Sequence, residues 1–250
     1  MKVSLITVVY NGEKYLNECF ESVKAQDYAD LEYIVIDGGS TDSTLSIVEQ
    51  HKKAIGQFVS EKDKGMYDAL NKGITIANGE VVGILNADDM LAGTDVISNI
   101  VKQFKEEKAD GVYGNLNYIN PDQANSIVRK WVSKPFTLKD IKLGWMPAHP
   151  TLYLKKDLFE KYGNYSLDYG TAADYELMIR FLYQHQVKAV FLNQLIVNMR
   201  IGGMSNASFK QRYHAMLNDF KAMRSNAIPY PIITLLLKKI SKIGQFLHKN

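Results

Sequence analysis

One cysteine, Cys19, occurs in 250 residues, which excludes an internal disulfide, and the absence of any CxxC pair removes the usual zinc-ligand spacing. Prolines number only six, and no proline- or glycine-rich stretch reads as a linker or a low-complexity segment. No apolar run approaches the roughly 20 residues needed to span a bilayer. The N-terminal Val3-Ser4-Leu5-Ile6-Thr7-Val8-Val9 is too short and too soon followed by charge to be a signal peptide, so a cytoplasmic protein is expected. No segment repeats at a fixed period. Neither GxGxxG nor GxxxxGK[ST] is present, so neither a dinucleotide fold nor a P-loop is supported.

Acidic residues are missing from one place. Between Phe220 and Asn250 there are six Lys or Arg and no Asp or Glu, while the whole chain has 30 basic and 27 acidic residues, leaving 24 against 27 elsewhere. The positive excess is local. It argues against a nucleic-acid-binding surface and for one basic partner site. In this tail Ile233, Leu236, Leu237, Ile240, Ile243 and Leu247 recur at helical spacing, with Lys238, Lys239, Lys242 and Lys249 on the other side. That is a basic amphipathic helix, and either its apolar face packs on the domain or residues 228–250 dock on an anionic membrane.

With 46% hydrophobic residues the chain can bury one large core. Strand-like runs alternate with helical periodicity through the first half. Val3–Val9 precedes a helix near Glu13–Ala25, Tyr33–Ile36 a helix near Thr44–Lys52, Phe58–Val59 a helix at Met66–Ala77, and Val81–Leu85 a helix through Val96, Ile100 and Phe104. On the first of these helices Leu16, Cys19, Phe20 and Val23 form a core-facing stripe. The order βαβα implies an α/β fold with a mainly parallel sheet flanked by helices. Beyond Gly111 the pattern loosens into Val112–Ile119, an irregular proline-containing stretch, Thr151–Leu154, a helix near Thr171–Gln184 and Ala189–Asn193. The expected organisation is a single domain with halves at 1–110 and 111–220 and a helical tail at 221–250.

Polar clusters fall where these strands end. Val81-Val82-Gly83-Ile84-Leu85 runs into Asn86-Ala87-Asp88-Asp89, and unpaired carboxylates at the end of a buried strand repel one another and lose solvation unless a cation lies between them. Mg2+ or Mn2+ suits such a site, using one or two carboxylates with water and phosphate oxygens. A helix cap or turn is the ordinary alternative. Thr7-Val8-Val9-Tyr10-Asn11-Gly12 and Asp37-Gly38-Gly39-Ser40-Thr41-Asp42 end two other strands. They read either as turns or as walls of a nucleotide crevice, with Asp37 accepting from a base or ribose and Tyr10 offering a flat face. Asp63, Lys64 and Asp68 stand at a helix entrance where a base or pyrophosphate would be met.

Together with Asp63-Lys64-Gly65-Met66-Tyr67-Asp68-Ala69-Leu70-Asn71-Lys72-Gly73, these clusters resemble the motifs of the family 2 glycosyltransferases of the GT-A fold, in the same order. The likeness covers residues 1 to 90 and continues more weakly to about 205. It implies a GT-A, Rossmann-like fold, a nucleotide-sugar donor (a UDP-sugar first), Mn2+ or Mg2+, and transfer with inversion to a glycan or lipid-linked acceptor in cell-envelope synthesis. It also implies that Thr7, Tyr10, Asp37 and Asp68 line the base and ribose, and that Asn86-Ala87-Asp88-Asp89 is the metal motif. Asn86 stands where an Asp is common, so Asp89 is expected as the direct ligand and Asp88 as a ribose or outer group. The Gln-x-x-Arg-Trp motif of processive members is absent, favouring single-residue transfer.

Transfer also needs a group to take the acceptor's proton. Asp174, in Thr171-Ala172-Ala173-Asp174, resembles the family's Glu-Asp base motif with Ala173 in place of Glu, and it equally matches a capping box with Thr171. His149, between two prolines, would touch acceptor or donor, or be structural. Arg200, ahead of Gly202-Gly203, would pair with the diphosphate, or lie on the surface. Two rivals stand beside this reading. A nucleotidyltransferase would need an Arg/Lys-bearing glycine loop after the first strand, which Tyr10-Asn11-Gly12-Glu13 does not supply; a non-catalytic sugar-nucleotide or glycan-binding module is favoured by Asn86 and Ala173 and opposed by Asp88, Asp89 and Asp174.

Overall fold

A computed structural model describes residues 1–202 and 209–243. The first half follows the expected alternation: β1 (Val3–Val9), α1 (Leu16–Lys24), β2 (Leu31–Asp37), α2 (Thr44–His51), β3 (Gln57–Ser60), α3 (Met66–Ile76), β4 (Val81–Ile84), β5 (Met90–Leu91) and α4 (Val96–Glu107). The second half is richer than the sequence pattern suggests: β6 (Gly111–Asn120), β7 (Gln123–Trp131), α5 (Leu138–Lys142), β8 (Tyr153–Lys155), α6 (Lys156–Tyr162), α7 (Ala173–Met178), β9 (Ala189–Arg200), α8 (Phe209–Ser225) and α9 (Pro231–Ile243). One sheet runs β3-β2-β1-β4-β8-β6-β9-β5, with β7 paired on β6. It is mainly parallel: β8, β7 and β5 run against the other strands.

Residues 3–9 of β1 are all buried, because the strand lies between β2 and β4 and is covered on both faces. Successive side chains point to opposite faces. Val3, Leu5 and Val9 join Leu16, Phe20, Val23, Ile97 and Phe104 under α1 and α4, whereas Ile6 and Val8 join Leu70 and Ile74 of α3 and the second-half residues Leu177 and Phe181. Two cores result, one on each side of the sheet. Each fully buried Ile or Leu contributes about 1.5–3 kcal/mol.

The halves meet where β4 pairs with β8. A Cβ on Gly83 would lie 2.1 Å from Cε1 of the buried Tyr153 ring, so this strand crossing requires a residue without a side chain. Further along, the helical stretch expected near Thr171–Gln184 is broken into a 3-10 segment (Leu167–Ala172), α7 and a π-helical segment (Ile179–Gln184). Glu176 and Arg180 form a buried pair, with Arg180 Nε 3.0 Å from the carboxylate. Asn226 Nδ2, just after α8, donates to the same Glu176 at 3.2 Å, tying α7 to the helices behind it.

Candidate active site

The carboxyl ends of β1, β2 and β4 lie side by side, which gathers three polar loops at one edge of the sheet. Asn11 stitches two of them. Its left-handed backbone (φ 51°) suits Asn, its N–H donates to Ser40 Oγ at 2.8 Å, and its Oδ1 accepts from Thr41 N–H at 2.9 Å. Tyr10 beside it is 66% exposed and presents its ring to solvent. Lys64 is exposed at the entrance of α3, where its N–H donates to Asp68 Oδ2 at 2.9 Å. Asp63 lies over Gly38: a Cβ there would come within 2.5 Å of its Oδ2, so the third loop closes directly onto the second.

Two residues expected on the ligand wall, Thr7 and Asp37, are fully buried. Thr7 shares the face of Val3, Leu5 and Val9, so it is buried under α1, where its Oγ1 accepts from Tyr33 OH at 2.9 Å and neighbours Cys19 Sγ. Burial pushes the Cys19 thiol up to about 12, leaving it an inert packing group. Asp37 is also fully buried. Its carboxylate accepts from Gly39 N–H, Ser40 N–H and Oγ, and Ser60 Oγ, bonds that hold the loop following β2.

The loop Asn86–Asp89 is followed at once by β5, and α4 begins only at Val96 after Asp95, so Asp88 and Asp89 cap no helix. Asp89 has no exposed surface: Oδ2 accepts from Asn86 Nδ2 at 2.8 Å and Oδ1 from the Arg200 N–H at 3.0 Å. Asp88 is only half-buried. Asp89, expected as the direct metal ligand, is thus the more deeply buried of the two, and Asp88, expected as a ribose or outer group, the less buried. Arg200 also differs from expectation. It is buried at the end of β9, donating to Asp88 O at 2.5 Å and to Glu18, with Tyr15 beneath its guanidinium at 4.4 Å. It is not a surface residue, and its side chain holds the backbone of the acidic loop. The Gly203–Ser205 part of the loop after it lies outside the described residues.

The Arg200 guanidinium bonds the Glu18 carboxylate and the Asp88 backbone carbonyl, and its charge also acts on the nearby Asp88 and Asp89 carboxylates. Burial, then the charge of Asp88, pushes Asp89 up to about 8, and burial raises Asp88 too. Excess negative charge at Asp88 and Asp89 fits a hard divalent cation. Among the described residues no three His, Cys, Asp or Glu side chains are grouped so as to hold a metal ion by themselves.

Asp174 lies at the start of α7, half-buried. The capping box with Thr171 does not form: the N-cap is Ala172, with no side-chain cap bond, and Asp174 Oδ1 accepts from the adjacent Tyr175 N–H at 2.7 Å. Tyr67 of α3 bonds Asp174, so the second half's carboxylate meets the first half's helix. His149 Nε2 is 2.7 Å from Tyr165 OH, and the Tyr165 ring packs on Tyr67 with centroids 5.5 Å apart. Burial holds the His149 imidazole below its usual value against the pull of Asp174, so it is neutral at pH 7. Asn71 pins the Tyr165 backbone, Nδ2 donating to its carbonyl at 2.8 Å and Oδ1 accepting its N–H at 3.0 Å.

Glu18, Tyr118, Tyr165 and Arg129 also belong to this neighbourhood and carry no motif of their own, while Tyr67 lies within the Asp63–Gly73 cluster. Arg129 stacks over the Tyr118 ring at 3.7 Å, and Tyr118 feels the charge of Asp89. Glu18 lies in the first turn of α1, off the apolar Leu16–Cys19–Phe20–Val23 stripe.

Residues 4–167 match the family model for glycosyl transferase family 2. An uncharacterized glycosyltransferase of Mycobacterium tuberculosis is 33% identical over 180 residues, which is 71% of this chain and 68% of that one. A PGL/p-HBAD biosynthesis glycosyltransferase of Mycobacterium bovis is 28% identical over 208 residues, 81% of this chain and 78% of that one. Among solved structures, S. aureus TarS 1-349 in complex with UDP superposes with TM-score 0.68 at 20% identity, covering all of this chain and 71% of that one. This chain spans 46% of the longer TarS structure. The mannosyltransferase PcManGT of Pyrobaculum calidifontis, in complex with GDP-Man and Mn2+, gives 0.66 at 19%, covering all of this chain and 76% of that one. These likenesses establish the α/β GT-A fold. The extent of the family match makes the chain a member of glycosyl transferase family 2, and hence a glycosyltransferase.

Proposed function

We propose that the protein moves one sugar from a nucleotide-diphosphate sugar, a UDP-sugar first, to a hydroxyl of a glycan or lipid-linked acceptor in cell-envelope glycoconjugate synthesis, with inversion. The observation that carries this is Asp174, a half-buried carboxylate released from any capping role and held beside Tyr67 and His149. The acceptor oxygen attacks the anomeric carbon, its proton passes to the Asp174 carboxylate, and the bond to the diphosphate oxygen breaks with its electron pair on the diphosphate. Attack from the face opposite the diphosphate inverts that carbon. Tyr10 stacks on the base, Asn11 and Lys64 flank the ribose and pyrophosphate, and Asp63 and Asp68 form the far wall.

Asp88 would hold Mn2+ or Mg2+, with Asp89 and Asn86 fixing its loop. When bound, the cation offsets the negative charge that grows on the leaving diphosphate. The UDP and GDP-Man–Mn2+ complexes of the structural neighbours support a nucleotide-sugar donor and a metal, and the mycobacterial PGL/p-HBAD relative supports an envelope acceptor.

The test is turnover of UDP-, GDP- and dTDP-sugars with Mn2+. Asp174→Asn is expected to keep donor binding and lose about 10²–10⁴-fold in transfer. No donor turnover together with no metal-dependent nucleotide binding would refute the proposal, and equal loss of binding and transfer in the variant would reduce Asp174 to a structural residue.

A further inference from the structure

The first turns of α3 touch both the proposed donor wall and the proposed base. At the helix entrance Lys64 N–H donates to Asp68 Oδ2 at 2.9 Å and Gly65 N–H to Asp63 Oδ1 at 2.8 Å, bonds that shape the loop proposed to wall the donor. Tyr67 and Asn71, four residues apart, lie one above the other on the same helix, and both meet the second half. Asn71 clasps the Tyr165 backbone through its two bonds, while the Tyr165 ring lies 5.5 Å from the Tyr67 ring and edge-on to His149 at 5.6 Å. α7 packs on the His149–Thr151 turn, which brings Asp174 to the same cluster.

Packing accounts for the Tyr67 ring but not for its hydroxyl. A phenylalanine would fill the space against Tyr165 equally well, whereas a half-buried phenol needs a partner for its O–H. Asp174 is that partner, through both its backbone N–H and its carboxylate. Burial, then the charge of Asp174, holds the phenol well above its usual value, so the hydroxyl keeps its proton and donates. Tyr165 is engaged elsewhere, its hydroxyl 2.7 Å from His149 Nε2, and the neutral imidazole brings no charge. The Asp174 carboxylate thus takes the Tyr67 O–H and, at Oδ1, the Tyr175 N–H at 2.7 Å, with lone pairs left for an incoming hydroxyl. We propose that Tyr67 is a positioning residue for the transfer reaction: from α3 it fixes where the Asp174 carboxylate points relative to the donor loop that the same helix carries. This rests on the reading of Asp174 as the base. A single rigid helix then sets the distance between the leaving diphosphate and the group that takes the acceptor's proton.

A double-mutant cycle on the whole chain tests this, reading donor cleavage with water as acceptor and using whichever UDP-, GDP- or dTDP-sugar is cleaved fastest with Mn2+. Tyr67→Phe keeps the ring and removes only the hydroxyl. It should lower kcat about 10- to 100-fold, while the donor KM and the Mn2+-dependent binding of the matching nucleoside diphosphate stay within about twofold of wild type. In an Asp174→Asn background the same substitution should change the rate less than about twofold, because a residue that acts through the base has nothing left to act on. A tyrosine with a merely structural role would cost the same factor in both backgrounds. Full activity of Tyr67→Phe, or an equal loss in both backgrounds, would overturn the proposal and leave the reading of Asp174 standing. Wild-type cleavage by Asp174→Asn alone, or no cleavage of any of these donors, would instead remove that reading and the proposal with it.

Discussion

Glu32 offers a number that can be worked through. It lies on β2 with its side chain 7% exposed, and accepts from Ser4 Oγ of β1 at 2.5 Å, Gln57 Nε2 of β3 at 3.1 Å, and both the N–H and Nδ2 of Asn78 at 2.8 Å. Lys2 adds a 3.3 Å ion pair. One carboxylate thus fastens three strands and the turn before β4, at the end of the sheet away from the proposed site. Burial alone would raise it, but the bonds from Ser4, Asn78 and Gln57 outweigh burial and bring it down from 4.5 to about 2. A folded value below the unfolded one adds stability that is complete above about pH 4.5 and is lost as pH falls toward 2. The shift of about 2.5 units corresponds to about 3 kcal/mol. Glu32→Gln keeps the shape but turns an acceptor into a donor against Ser4 and Asn78, so about 2–4 kcal/mol should be lost at pH 7. Urea unfolding followed by circular dichroism, at steps from pH 7 to 3, should find the gap between wild type and variant narrowing with acid. A gap that stays constant, or is below about 0.5 kcal/mol at pH 7, would refute the reasoning.

Arg200→Met leaves Asp88 and Asp89 without their counter-charge and should cost about 3–5 kcal/mol in urea unfolding; Arg200→Lys should recover part of that, and Mn2+-dependent nucleotide binding should fall with the Met variant. His149→Phe removes the bond to Tyr165 OH and should cost about 1–3 kcal/mol at pH 7.5. Because His149 is held below its usual value, its neutral form stabilises the fold above about pH 6.5, so melting at pH 5 should penalise wild type more than the variant. Tyr10→Ala should weaken nucleotide binding by about 1–3 kcal/mol in calorimetry without shifting the melting temperature, since the ring packs on little of the protein.

The first half of the fold was legible because its strands are apolar on both faces and its helices carry clear stripes, as on β1 and α1. The second half was not. β7 buries few of its side chains, β5 is two residues long, and β8 is a short strand inserted antiparallel between parallel neighbours, so none of them leaves a strong periodic signal. The capping box that does form, Thr137 with Asp140 at α5, went unread, while the one matched at Thr171 and Asp174 is displaced by the 3-10 turn that ends at Ala172. At the site, strand parity alone would have moved Thr7 to the core, since it shares a face with Val3, Leu5 and Val9. No local pattern could have ranked Asp88 against Asp89. The buried Asp89 is held by the backbone N–H of Arg200, which reaches it from 111 positions along the chain.

The fit of Gly83 against Tyr153 bears on how this enzyme can be recombined. The seam between the first and second halves of the sheet is keyed like a lock by one missing methyl group and one ring. A chimaera that keeps the first half and imports a new second half will close best if the incoming strand brings an aromatic of matching shape opposite Gly83, or if both positions are exchanged together. The loops of the second half can then be varied, provided that the key and its slot travel as a pair.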